Sequence, residues 1–217
     1  MSRAYLTIDD APSATLASKV DLLDTLSVPA VFFCEGRRLE AQPREARYAV
    51  ESGYHLGNHL YSHPYASDIS PQAFERELTR TESVIESIYA DVSCSRPARV
   101  FRFPYGDKGD TDAAAFQEIL HAHGFEPPRR TDITYDWYAD RCDGDVDWYW
   151  TIDVKDWEVD SKRGIDDQLN AFHPELDSSS AEILLFHDSD SSVQLLRYFL
   201  TQLRERGVRF ADPLSLV

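Results

Sequence analysis

Basic residues are scarce in this chain. Lys and Arg number 22 against 38 Asp and Glu, a formal net charge of −16 over 217 residues. A surface that negative repels phosphates, so nucleic acids and anionic membranes are poor partners. Long apolar runs are missing as well. None approaches the ~20 residues that span a bilayer, and the mean hydropathy is −0.44, so membrane insertion is not expected. The first residues, Met1-Ser2-Arg3-Ala4-Tyr5-Leu6-Thr7-Ile8, lack the layout of a secretory leader. A cytoplasmic protein is expected, or an extracellular one if a leader has been removed. Cysteine is sparse too: Cys34, Cys94 and Cys142 form no even set and no CxxC spacing. That excludes a disulfide framework and suits a reducing compartment. With no internal repeat and no low-complexity linker, residues 1–217 are read as a single domain.

What is present is the composition of a globular protein, 42% hydrophobic and 12% aromatic. Short runs rich in Val, Ile, Phe and Tyr mark strand candidates at Tyr5–Ile8, Val28–Phe33, Tyr54–Leu56, Val100–Phe103, Trp148–Ile152, Ile183–Phe186 and Val208–Ala211. Amphipathic stretches lie between them. Ser70-Pro71 reads as an N-cap followed by Pro at the first helical position, and Phe74, Leu78, Ile85 and Ile88 then share one helical face. A second helix is expected from Asp112 to His123, ending at Gly124, and a third from Ser191 to Arg206 before Gly207. Alternation of this kind implies βα units, a largely parallel sheet and an α/β fold. Periodicity does not say whether the sheet is open or closed. Glu126 to Asp147 fits no element and is read as an irregular excursion.

Parallel α/β folds bind ligands at the C-terminal ends of their strands. Polar residues gather there: Asp9-Asp10 after the first strand, then Asn58-His59 and His63, then Arg102, Pro104 and Tyr105. Asp153, Asp156 and Trp157 come next, and His187-Asp188 follows Ile183–Phe186. Each set has an ordinary structural explanation when taken alone. Adjacent aspartates cap helices, neighbouring histidines in a loop are commonly solvated, Arg102 could be a surface charge, and Trp157 or His187 could belong to the core. Together, two His and one carboxylate make a donor set that leaves metal positions open for water and substrate.

The series Thr7-Ile8-Asp9-Asp10, His59-Leu60-Tyr61-Ser62-His63, Arg102-Phe103-Pro104-Tyr105, Asp153-Val154-Lys155-Asp156-Trp157 and Leu185-Phe186-His187 resembles the motifs of the polysaccharide deacetylases with a NodB homology domain (carbohydrate esterase family 4). The likeness runs from about residue 4 to residue 211 and implies a distorted (β/α) barrel with one divalent metal, zinc first and cobalt as an alternative. Asp10, His59 and His63 resemble the metal triad, which would polarise an acetyl carbonyl and acidify a water. Asp9 resembles the general base, held ionised by Arg102. The backbone N–H of Tyr105 resembles an oxyanion donor. His187 resembles the general acid, oriented by Asp156. Trp157 and Leu185 resemble the walls of a pocket for the acetyl methyl, with Pro104 at the substrate side of the third motif.

Three positions depart from the family pattern. Ile8 replaces Phe, a conservative core change, Ala11 stands where Gly is common, restricting the loop after the base, and Leu60 replaces a Ser or Thr whose hydroxyl would steady the histidine loop. The resemblance implies removal of N-acetyl groups from N-acetylglucosamine units of a chitin oligosaccharide or peptidoglycan-like glycan. The alternatives are a small amide (a cyclic ureide, imide or formyl-sugar) or an inactive metal-binding domain. The net charge favours a neutral substrate, although acidic surfaces also occur in proteins of salty cytoplasm. His55 is a further candidate near the site. His121 and His123 read as surface residues. The rings of Tyr135-Asp136-Trp137-Tyr138 and Trp148-Tyr149-Trp150 could stack on sugars or belong to the core.

Overall fold

β1 (Arg3–Ala11) is flanked by parallel partners on both edges, β2 (Ala30–Cys34) on one side and β5 (Glu182–His187) on the other. The computed structural model describes residues 3–176, 179–188 and 193–217. β3 (His55–Asn58) extends the sheet beyond β2, β4 (Ile152–Asp153) extends it beyond β5, and β6 (Arg209–Phe210) pairs with the start of β1. The order is β3-β2-β1-β5-β4. Two irregular segments close the circuit. Phe101 bridges to Asn58, and the Trp148 amide donates to the Phe101 carbonyl at 2.8 Å, just ahead of β4. The result is a distorted (β/α) barrel.

Those two closing segments were expected as full strands, Val100–Phe103 and Trp148–Ile152. The first forms only an isolated bridge, because Pro97 and Pro104 bound it and proline offers no amide for ladder pairing. The second keeps only Ile152–Asp153 in the sheet.

Helices wrap the outside. They are α1 (Leu16–Thr25), α2 (Gly36–Ala41), α3 (Pro43–Glu51), α4 (Pro71–Asp91), α5 (Ala113–Ala122), α6 (Asp136–Cys142), α7 (Lys162–Ala171), α8 (His173–Leu176) and α9 (Val193–Glu205). α4 begins as the sequence implies: Ser70 Oγ accepts the Ala73 amide at 3.3 Å, and Phe74, Leu78, Ile85 and Ile88 are buried. α5 ends one residue before His123, with Gly124 at φ +73°. The start expected for α9, Ser191–Ser192, lies outside the described residues. The excursion from 126 to 147 is not wholly irregular. It holds α6, whose Tyr138 and Cys142 are buried. No helix among the described residues is long and apolar enough to cross a membrane.

Strand alternation sorts the core into layers. Tyr5, Val31, Phe33, Val100, Trp148 and Ile183 come from staves all round the circuit and fill the barrel. Leu6, Ile8, Phe32, Leu184 and Phe186 face outward against the helices, packed with Val20, Leu23 and Leu200. A third cluster, including Leu60, Phe74, Phe101, Phe103 and Phe116, lies beneath the histidine loop. Burial on both faces is what a parallel sheet covered by helices requires.

Gly57 on β3 tests the tightness of the barrel interior. A Cβ there would lie 2.7 Å from Phe33 Cδ1 and 3.0 Å from Val100 Cγ2. Gly57→Ala is expected to cost about 1–3 kcal/mol in urea unfolding; an unchanged midpoint would contradict this packing.

Candidate active site

The strand ends open into a cleft of about 730 Å³ whose lining includes Asp9, Asp10, His59, His63, Asp156 and His187. Consecutive strand residues normally point to opposite faces. Here the β1–β2 register shifts between Ile8 and Ala11, and Asp10 takes φ +59°. Both carboxylates therefore reach the same mouth. Asp9 lies beside His187 in the β1–β5 register.

Asp10, His59 and His63 bring one donor atom each within 4.8 Å of one another. Asp10 Oδ1 is 3.2 Å from His63 Nε2 and 3.7 Å from His59 Nε2. That oxygen is buried without a hydrogen-bond partner. The Nδ1 of His59 is engaged with the Arg102 carbonyl at 2.8 Å, so the Nε2 lone pair faces Asp10. Burial lowers the His59 pKa and keeps the ring neutral, as ligation demands. An orphaned carboxylate oxygen facing two imidazole nitrogens fits a divalent cation.

Asp9 is buried and paired. Arg102 donates from one terminal nitrogen to Asp9 Oδ1 at 2.7 Å and to Thr7 Oγ1 at 2.7 Å, while its Nε donates to the Trp148 carbonyl at 2.6 Å. Asp9 Oδ2 lies on the other side, 3.6 Å from His59 Nε2. On the far wall Asp156 Oδ1 accepts from His187 Nδ1 at 2.9 Å and from the His187 amide at 3.1 Å. Burial lowers the His187 pKa, but the hydrogen bond and charge of Asp156, with Asp9 and Asp10 behind it, win and raise it to about 9.

Trp157 stands edge-on to His187 with ring centroids 4.7 Å apart, and Leu185 also lines the cleft. Tyr105 has φ +59° and a ring against His63 at 4.4 Å. Pro104 is buried at the start of that turn and is not part of the cleft lining. Among the aromatic candidates, Tyr138 and Trp148 are core residues, Trp150 lines the cleft, and the exposed Trp137 stacks on Tyr135. His55 lies at the opening of β3, at the opposite end from the cleft. Its Nδ1 is 3.0 Å from the Tyr89 hydroxyl and burial pushes its pKa down to about 3, so it does not support the site. His123 meets Glu75 at the surface, 2.9 Å away.

The hydroxyl missing at Leu60 is replaced by other contacts. Leu60 takes φ +60° and turns its side chain into the third core cluster, and its amide donates to Asn58 Oδ1 at 2.9 Å. Glu77 of α4 accepts from the Tyr61 amide at 3.1 Å, the Ser62 amide at 2.7 Å and the Ser62 hydroxyl at 3.0 Å. Sequence reasoning placed Asn58 at the strand end without giving it a role, and missed Glu77. Nothing distinguishes Glu77 from Glu75, Glu82 or Glu86 on the same helix.

A family model described as Polysaccharide deacetylase matches residues 2–127. A peptidoglycan-N-acetylglucosamine deacetylase of Bacillus cereus (strain ATCC 14579) is 27% identical over 217 residues, covering 98% of this chain and 86% of that one. A chitooligosaccharide deacetylase of Rhizobium leguminosarum bv. trifolii is 26% identical over 203 residues, covering 93% and 79%. The chain spans 65% of the length of another relative, the Bacillus subtilis protein YheN, at 27% identity over 95% of this chain. Among solved structures, a family 4 carbohydrate esterase from Streptomyces lividans in complex with acetate superposes with a TM-score of 0.72 at 21% identity, covering 99% of this chain and 95% of that one. A family 4 pseudoenzyme from Bacillus anthracis superposes at 0.74 with 22% identity, covering 99% and 65%. The likeness to these two structures is one of fold.

Two measurements test the geometry. Glu77→Ala removes the clamp on the histidine loop and is expected to weaken divalent-cation binding by about 10–100-fold in a competition titration; unchanged affinity would show that the clamp is idle. In metal-free protein, NMR should find His187 charged through neutral pH and titrating near 9, and Asp156→Asn should bring it to or below its ordinary value. Because folding raises this pKa, the pairing stabilises the fold fully below about pH 6.5 and the gain is lost as pH rises through about 9.

Proposed function

The chain belongs to the polysaccharide deacetylase family, carbohydrate esterase family 4, and from that premise we propose that it hydrolyses N-acetyl groups from N-acetylglucosamine units of a chitin oligosaccharide or peptidoglycan-like glycan. Metal-dependent amide hydrolysis rests on the Asp10–His59–His63 donor set and the family, and one observation carries it: Asp9 and His187 sit in register on adjacent strands at the mouth that also holds the donor set. The glycan substrate is supported by the relatives, a peptidoglycan-N-acetylglucosamine deacetylase and a chitooligosaccharide deacetylase. A base and an acid therefore stand beside one cation site. The intact pair also speaks against an inactive recognition domain.

Asp10, His59 and His63 would hold a divalent cation, zinc by its preference for imidazole and carboxylate donors, which when bound would supply Lewis-acid polarisation of the amide carbonyl and a more acidic water. The chain's own residues handle the protons. Asp9, held at Oδ1 by Arg102, takes one from the attacking water through Oδ2, the oxygen that faces His59. The Tyr105 N–H donates to the oxygen that gains charge in the tetrahedral intermediate. His187, whose Nδ1 is engaged with Asp156, presents Nε2–H to the leaving nitrogen. As the C–N bond breaks, that nitrogen receives the proton and departs as the amine, leaving acetate. Trp157 and Leu185 offer apolar walls for the acetyl methyl, while the exposed rings of Tyr105 and Trp157 can lie against sugar faces. The many carboxylates of the cleft favour a neutral substrate over an anionic one.

Purified protein loaded with zinc or cobalt should release acetate from N-acetylchitooligosaccharides or peptidoglycan fragments, assayed beside a panel of small amides. Turnover confined to the small amides would overturn the glycan assignment. Asp9→Asn should reduce kcat at least about 100-fold with the metal still bound; surviving activity would remove Asp9 as the base.

A further inference from the structure

Asp188 follows His187 and has no role in the chemistry above, yet it is among the most heavily engaged side chains at the cleft. Its carboxylate accepts the Ser13 amide at 2.5 Å through Oδ2 and the Ser13 hydroxyl at 2.8 Å through Oδ1. The ammonium of Lys19, from α1, pairs with the same Oδ1, and both side chains are wholly buried. The Asp188 amide in turn donates to the Asp9 carbonyl at 2.8 Å. Lys19 Nζ also approaches Ser13 Oγ at 3.5 Å.

Stability alone does not account for this pair. Taking two charges out of water costs several kcal/mol per ion, and apolar replacements of similar volume are often as stable or better. Lys19 sits on α1 among the buried Leu16, Val20 and Leu23, where an apolar residue would extend the same face. What the pair provides is location. Asp188 grips the chain at both ends of a five-residue stretch, at the Asp9 carbonyl and at Ser13. Within that stretch lies Asp10, whose φ of +59° places its carboxylate toward the two histidines. One residue back along β5 from the grip is His187.

We propose that the Lys19–Asp188 pair is a positioning device, locking the strand end that carries His187 to the loop that carries Asp9 and Asp10. Lys19 acts through Asp188: it holds the carboxylate in place and neutralises it, so the grip adds no uncompensated negative charge to an already acidic mouth. The kinetic consequence rests on the deacetylase reading above, whereas the mechanical coupling does not.

Lys19→Met/Asp188→Asn removes both charges at nearly constant volume and is expected to stay folded by circular dichroism. Lys19→Met alone strands a buried carboxylate and should melt earlier, which separates charge burial from positioning. In the folded double variant, kcat should fall about tenfold or more with KM within about twofold of the parent. Hydrogen exchange at the amide of residue 188 should speed up about tenfold or more, with β2 amides unchanged. Unchanged exchange there overturns the proposal whatever the activity, and so does a folded double variant with unchanged kcat. A parent protein inactive on every glycan and amide overturns the deacetylase reading alone, because the exchange result still decides the coupling.

Discussion

One guanidinium holds the mouth of this barrel together. Arg102 is buried, and it ties three staves: Thr7 and Asp9 on β1 and the Trp148 carbonyl across the interior, while its own amide and carbonyl serve the Asn58–His59 end of β3. A buried cation is costly unless its hydrogens find acceptors. The Arg102 Nε and one terminal nitrogen find acceptors, while the other terminal nitrogen is buried without one; the bonds it does make draw the two irregular segments, 100–103 and 148–150, into the circuit that β-pairing alone leaves open. Phe33 packs against the guanidinium face with its centroid 4.4 Å away, so the barrel core supports the charged group from below. Fixing Arg102 for Asp9 also fixes its carbonyl for His59. The position of Asp9, the proposed base, and the tautomer of His59, a candidate metal ligand, thus depend on a single residue.

Much of this was legible in the sequence because the relevant signals are local. The apolar runs at Tyr5–Ile8 and Ile183–Phe186 mark strands buried on both faces, and the polar residues just beyond them mark the mouth. Ser70-Pro71 announces α4 by capping chemistry that needs no tertiary context. Boundaries drifted where pairing is set from afar. Val100–Phe103 has the composition of a strand, but it is confined between Pro97 and Pro104 and forms only the bridge at Phe101. Trp148 reads equally well as a sugar platform or a core residue, and only the closed barrel, with Phe33 and Val100 around it, makes it core.

The supporting residues were the hardest to read, for a definable reason. A base, an acid or a metal ligand announces itself by residue type at a strand end. The residues that hold them are ordinary types at ordinary places. Glu77 is one acid among several on α4, Asn58 looks like a turn residue, and Lys19 on α1 resembles any helical lysine until its burial is known. Leu60 shows the converse. Its lost hydroxyl suggests a looser loop, whereas the structure compensates with Asn58, Glu77 and the aromatic cluster into which the leucine packs.

Of the five aspartates that line this mouth, four are told apart by their partners, although residue type alone would give them one role. Asp9 pairs with the Arg102 guanidinium, the setting of the proposed base. Asp10 faces imidazole nitrogens and keeps an oxygen without a hydrogen bond, the state of a ligand. Asp156 faces a histidine and spends its charge on raising that group to about 9, the property of a residue that makes an acid. Asp188 faces a fully buried lysine and is neutralised outright, which leaves it mechanical work only. Pairing each carboxylate with a different partner gives neighbouring acids different work. The large excess of acid in the chain is therefore compatible with an ordered site, because at the cleft each of these four carboxylates has its own counter-group.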